Sequence, residues 1–207
     1  MNEIRQNFIA STMDIRTKNK SSPGRKATRG FTMIEMLATV TIAVILFGIS
    51  APNMMSFIKN SEITAISNQF TGAVNLARSS AITEQKPVVI CSSTTGTLCT
   101  GSAWEAGWMM YIVENNGDRR TLAIGDPLNE EISVSFNGFD VSTQISFNTA
   151  GTINGTNTTG DIVICDQRGN QYANAILINS IGRPVLATDS NDDQIVEGIN
   201  RTNVSCT

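Results

Sequence analysis

The sequence contains no histidine, and it has only four cysteines among its 207 residues. The absence of histidine excludes Ser-His-Asp and Cys-His catalytic arrangements and every histidine-ligated metal centre. No two cysteines form a Cys-x-x-Cys pair, and the glycines form no phosphate-binding loop. The many carboxylates show no spacing that suggests a catalytic pair. We therefore expect a protein that is not an enzyme and that binds no cofactor or metal ion.

Positive charge is also scarce, except at the N-terminus. Residues 1–30 hold seven Lys/Arg and two acids, a net charge of +5, whereas the whole chain carries −3. The remaining residues, 31–207, therefore carry −8. A basic segment before an apolar one stays in the cytoplasm and predicts that the C-terminal part lies across the membrane.

An apolar run follows the basic segment. No charged residue occurs from Met36 to Ile58, and 23 residues of helix would span about 35 Å, enough to cross a bilayer. Gly48 and Pro52 interrupt the run, and the proline predicts a kinked or loosened helix. Glu35 lies inside the start of the run, where a charge costs about 2.5–3.5 kcal/mol in a membrane. This cost indicates that Glu35 has a partner.

The helical pattern continues beyond the apolar run as one apolar stripe with three- and four-residue spacing. Pro87 ends the pattern, so we expect one helix of about fifty residues. The stripe consists of Ile63, Ile66, Phe70, Ala73, Val74, Ala77 and Ala81.

After Pro87 short β-prone segments alternate with turn-rich connectors, which is typical of antiparallel sheets. The predicted fold is α+β, a long N-terminal helix packed on an antiparallel β-sheet head. The predicted strands are Val88–Cys91, Gly107–Val113, Thr121–Ile124, Ile132–Phe136, Gln144–Phe147, Asp161–Cys165, Ala173–Asn179 and Val185–Ala187.

Two acidic segments of the head, 114–118 and 189–193, are rich in oxygen ligands of the kind that calcium prefers. Neither has the EF-hand spacing. Asn, Asp and Gly also favour turns, and we prefer that interpretation.

The junction Gly30-Phe31-Thr32 with Glu35 three residues on resembles the class III signal of type IV pilins and type II secretion pseudopilins. The resemblance implies that a prepilin peptidase cuts between Gly30 and Phe31 and methylates the amine of Phe31. Glu35 then becomes the fifth residue, which pairs with the N-terminal amine of a neighbouring subunit. The implied parts are a leader at 1–30, a membrane or filament-core half-helix at 31–58, and an amphipathic half-helix with its head at 59–207. Met1 and Met13 are both candidate starts.

Motifs of the head resemble the GspH/FimT group of that family. They are Trp104 to Trp108 with Tyr111, the Asn115–Asp118 turn, and the segments 146–151, 162–165 and 181–183. The group implies a minor pilin that primes assembly and caps the tip of a type IV pilus. The alternative is minor pseudopilin H of a type II secretion system.

The resemblance also implies partners and a location. The partners are other minor and major pilins or pseudopilins, the prepilin peptidase, an inner-membrane assembly platform and membrane lipid. The protein crosses the bacterial inner membrane once, with its leader cytoplasmic and its head periplasmic, before it enters a filament.

All four cysteines follow the apolar run, in a compartment where disulfides persist. Three pairings are possible. We favour Cys91–Cys99, which closes a short loop, and Cys165–Cys206, which ties the C-terminal tail to a strand. Each disulfide would contribute about 2–4 kcal/mol to the stability of the fold.

Some relatives in the FimT group bind DNA through a Gly-Arg-x-Arg motif, which makes DNA a second alternative. Here the motif reads Gly182-Arg183-Pro184-Val185, so the second arginine is missing. Arg183 and Arg201 are the candidate contacts. Because DNA affinity depends on clustered Lys/Arg and this head is acidic, the sequence argues against DNA binding.

Overall fold

The structure, a computed structural model, describes residues 30–206, except for the side chains of residues 49–53. Most of the leader, both candidate start residues and the Pro52 ring therefore lie outside the described residues. The chain divides into two compact units, residues 1–47 and 48–207. The first unit is described from residue 30 onward, and the second contains the head.

The helix α1 runs from Met33 to Glu84, 52 residues, close to the predicted length. All seven residues of the predicted stripe are buried in the second unit, with exposed fractions of 7 % or less. The helix ends three residues before Pro87, and Gln85 takes a positive φ of 53° directly after it. Within the described residues, no helix is both long enough and apolar enough to span a membrane.

Eight antiparallel strands follow α1, and each corresponds to a predicted strand with ends that differ by at most two residues. They form two four-stranded sheets, a first sheet ordered β3-β2-β1-β5 and a second ordered β4-β6-β7-β8. The bounds are β1 Val88–Ser92, β2 Trp108–Val113, β3 Arg119–Gly125, β4 Ile132–Asn137, β5 Gln144–Phe147, β6 Gly160–Asp166, β7 Asn174–Ile178 and β8 Pro184–Leu186.

The main core lies between the stripe of α1 and the inner faces of both sheets. Phe70 is 1 % exposed, and its ring centroid lies 5.8–6.3 Å from those of Trp104, Trp108 and Phe136. Trp104 stacks on Phe136 at 3.7 Å, and its indole N–H donates to the carbonyl of Ser142 at 2.7 Å. The two tryptophans of the head motif are therefore core residues.

The outer face of each sheet carries a disulfide, and the pairs are those favoured from the sequence, Cys91–Cys99 and Cys165–Cys206. Val89, Met109 and Tyr111 pack with the first pair. Val204 in the C-terminal tail packs near the second. Two features were not predicted from the sequence. One is the division of the strands into two sheets, and the other is a pair of short 3₁₀ helices, Trp104–Ala106 and Asn170–Tyr172.

Candidate assembly site

Thr32 lies directly before α1 and caps its N-terminus. Its hydroxyl accepts a hydrogen bond from the backbone N–H of Glu35 at 3.3 Å, and its carbonyl accepts one from Met36 at 3.1 Å. Thr32 thus caps the helix, and Glu35 lies in the first turn, where a carboxylate favours the positive end of the helix dipole. This role of Thr32 was not predicted, although Thr-x-x-Glu before an apolar run is the signature of a capping box.

The segment after the junction exposes an almost continuous apolar surface. Every large apolar side chain from 31 to 47 has an exposed fraction between 54 % and 83 %. Glu35 is the only charged residue among them. A patch of this size marks a surface that contacts lipid or other proteins. The residues are Phe31, Met33, Ile34, Met36, Leu37, Val40, Ile42, Val44, Ile45, Leu46 and Phe47.

The side chain of Glu35 makes neither a hydrogen bond nor an ion pair within the described part of the chain. Its carboxylate is therefore available to a group from another molecule. The structure describes Gly30 and Phe31 as exposed residues directly before the cap, so the proposed cleavage bond lies outside the helix.

The first acidic segment, 114–118, binds cationic side chains of the chain itself. Glu114 forms ion pairs with Lys86 and Arg120, and Arg120 also pairs with Glu84 at 2.9 Å. The bonds from Lys86 and then Arg120 lower the pKa of Glu114 below its usual value of 4.5. This network fastens the end of α1 to the β2–β3 turn.

The second acidic segment, 189–193, forms a turn. The Asp189 carboxylate accepts backbone N–H groups of Asp192 and Gln194 at 2.8 and 2.7 Å. The bond from the Asn203 side chain, with smaller contributions from neighbouring amides, lowers the pKa of Asp193. Among residues 30–206, no three His, Cys, Asp or Glu side chains are arranged to hold a metal ion.

The five arginines of the head differ in whether they contact other side chains of the chain. Arg119 lies 4.9 Å over the ring of Tyr111, Arg120 joins the network above, and Arg168 pairs with Asp166 at 2.7 Å. Arg183 and Arg201, the candidate DNA contacts, are exposed and form no ion pair in the described part of the chain. Three of the five cationic groups are thus already engaged within the head.

Two protein-family models match the chain. The model described as type II transport protein GspH matches residues 67–182, more than half of the sequence. The model of the prokaryotic N-terminal methylation motif matches residues 25–51 and includes Gly30, Phe31 and Glu35. No curated protein sequence matches the chain significantly.

Solved structures also resemble the chain. The type IV minor pilin FimU of Pseudomonas aeruginosa, strain PAO1, is 19 % identical, and the match covers 67 % of this chain and 98 % of FimU with a TM-score of 0.51. The minor pseudopilin EpsH from the type 2 secretion system of Vibrio cholerae is 9 % identical, with coverage of 63 % and 99 % and a TM-score of 0.45. The likeness to FimU shows a shared pilin-like fold.

Proposed function

The chain belongs to the GspH family of minor pilins and pseudopilins, and we propose that it is a minor pilin that primes assembly of a type IV pilus and caps its tip. The observation that supports this function is the exposed apolar surface of residues 31–47 with a single carboxylate in its first turn. Such a helix is stable in lipid and can move into a filament core of similar polarity.

Maturation would precede assembly. A prepilin peptidase cuts between Gly30 and Phe31, removes the basic leader and methylates the new amine. The match of the methylation motif to residues 25–51 supports this step. The product is an acidic protein with residues 31–58 in the inner membrane and residues 59–207 in the periplasm. Mass spectrometry of the mature N-terminus should find N-methylated Phe31.

Glu35 would be the assembly contact. A carboxylate in lipid carries an energetic cost, and the amine of a neighbouring Phe31 in the filament core would offset it. Incorporation into the filament, with the help of the inner-membrane assembly platform, would therefore depend on this charge, while residence in the membrane would not.

The test replaces Glu35 by glutamine, which keeps the side-chain size and removes the charge. We expect Glu35→Gln to fractionate with the inner membrane, to be cleaved normally, and to be depleted from sheared filaments. Glu130→Gln is the matched control, because Glu130 is an exposed acid of the head. Normal incorporation of Glu35→Gln would refute the assembly role of Glu35.

The same family membership supports a second candidate, a minor pseudopilin H of a type II secretion system. The two disulfides and the tail beyond β8 favour the pilus. Deletion of the gene separates the two functions. We expect the deletion strain to lose surface pili under electron microscopy and to secrete its exoproteins normally. The opposite result would assign the chain to the secretion system.

A further inference from the structure

A polar groove of about 280 Å³ lies on the outer face of the second sheet. Strands β4 and β6 form its floor, and the C-terminal tail at 198–205 forms its wall. Hydroxyl, amide and carboxylate groups line it, and neither lysine nor arginine does. The polar lining residues are Ser135, Asn137, Asp161, Asn200, Thr202, Asn203 and Ser205.

Asp161 is the buried carboxylate of this groove, with only 6 % of its surface exposed. Its carboxylate accepts hydrogen bonds from the Asn137 side chain and from the backbone N–H of Ile199, both at 3.0 Å. Gly198 permits the close approach of the tail, because a Cβ there would lie 2.6 Å from the Asp161 carboxylate. No cationic side chain pairs with Asp161 in the described part of the chain. Because no cation offsets its negative charge, a cationic occupant would form a charge-assisted hydrogen bond with the Asp161 carboxylate.

Four other polar side chains of the groove have no hydrogen-bond partner in the described part of the chain. The side chains of Ser135, Asn200, Thr202 and Ser205 make no hydrogen bond within residues 30–206. The wall that carries three of them is fixed, since Gly198 donates to the Thr202 carbonyl at 2.8 Å and Cys206 is bonded to Cys165. Together with the Asp161 carboxylate, the oxygens of these side chains can accept the several hydrogen bonds that an ammonium or guanidinium group donates.

We propose that this groove receives a lysine or arginine side chain of a neighbouring pilin subunit, whose cation pairs with Asp161. The proposal rests on the proposed function and names one contact of the head in the filament. Charge complementarity supports this occupant, because residues 31–207 carry −8 and hold few cations of their own. Arg201 lies at the tip of the tail turn but does not line the groove.

The test fills the groove with a cation of the chain itself. Ser135 lies opposite Val163, two residues from Asp161 on β6, and a long side chain reaches this diagonal distance. Ser135→Arg should leave maturation and membrane residence unchanged, should not lower the temperature of thermal unfolding, and should reduce incorporation into filaments by about tenfold or more. Ser133→Arg is the control, since it adds the same charge to the same face of β4, opposite Cys165, and should incorporate like the wild type.

Normal incorporation of Ser135→Arg alongside a defect of Glu35→Gln would overturn the groove contact and leave the assembly function standing. Normal incorporation of both variants would overturn the groove contact and the assembly role of Glu35. A photo-crosslinking amino acid at position 135 gives an independent readout in assembled filaments. We expect mass spectrometry to find it joined to a Lys- or Arg-containing segment of another subunit. Crosslinks to Arg201 of the same chain, to a glycan or to no subunit would contradict the proposal.

Discussion

Gly125 ends β3 directly against the indole of Trp108. A Cβ at this position would lie 2.0 Å from the indole nitrogen, and Trp108 is only 4 % exposed. We expect Gly125→Ala to force the indole or the strand aside and to lower the free energy of unfolding by about 1–3 kcal/mol. Gly72→Ala, on the exposed face of α1 with no atom within 4 Å of its Cβ, should instead raise it by about 0.5–1 kcal/mol. Urea unfolding should show changes of opposite sign in the free energy of unfolding of the two variants. Changes of the same sign would contradict the packing of Gly125 against Trp108.

The Glu114 network makes stability depend on pH. The folded state lowers the pKa of Glu114 below 4.5, so this stabilisation is complete above pH 4.5 and is lost as the pH falls through the folded pKa. At pH 7 we expect Glu114→Gln to melt at a lower temperature than the wild type. The difference should shrink on acidification below pH 4.5, because protonation then breaks the same ion pairs in the wild type.

Circular dichroism between pH 7 and pH 3 measures these melting temperatures. Glu130→Gln, at an exposed acid without an ion pair in the described part of the head, should melt like the wild type at pH 7. A Glu114→Gln difference that is the same at every pH would show that the network does not stabilise the fold.

Among the elements, the second part of α1 has a buried face and an exposed face. Its second part buries the stripe around Phe70, whereas Leu76 on the same part is 45 % exposed. We expect Phe70→Ala to lower the free energy of unfolding by about 3–5 kcal/mol, since it empties the centre of an aromatic cluster. Leu76→Ala should change it by less than about 0.5 kcal/mol. A similar loss for both in urea unfolding would contradict the assignment of the buried face.

Local patterns in the sequence predicted the elements well. The stripe of α1 has helical periodicity, and strands such as β5 are bounded by turn residues. Each of these patterns lies within a short segment and indicates the secondary structure of that segment. The disulfide Cys91–Cys99 also closes a short local loop.

The pairing of the strands was not predictable in the same way, because it depends on contacts far apart in sequence. Nothing local indicates that β5 joins β1 while β4 joins β6. The groove around Asp161 escaped prediction for the same reason: its floor and wall come from β4, β6 and residues 198–205, and only the fold brings them together.

The whole molecule is acidic, and this property bears on DNA as a partner. Residues 31–207 carry −8, and Arg119, Arg120 and Arg168 are engaged by a ring or by carboxylates. Phosphate contacts dominate DNA affinity and require free, clustered cations. We therefore expect no retarded complex in a gel-shift assay of the mature protein in detergent, from low to physiological salt.

The exposed Arg183 provides the decisive variant for that assay. If Arg183 and Arg201 formed a DNA site, a complex would appear at low salt, weaken with added salt and disappear in Arg183→Glu. Val185→Arg completes the Gly-Arg-x-Arg pattern at a half-exposed position. It changes the net charge by only one unit, so we expect it to produce no complex either. A complex formed by the wild type and lost in Arg183→Glu would make DNA a partner in spite of the acidic field.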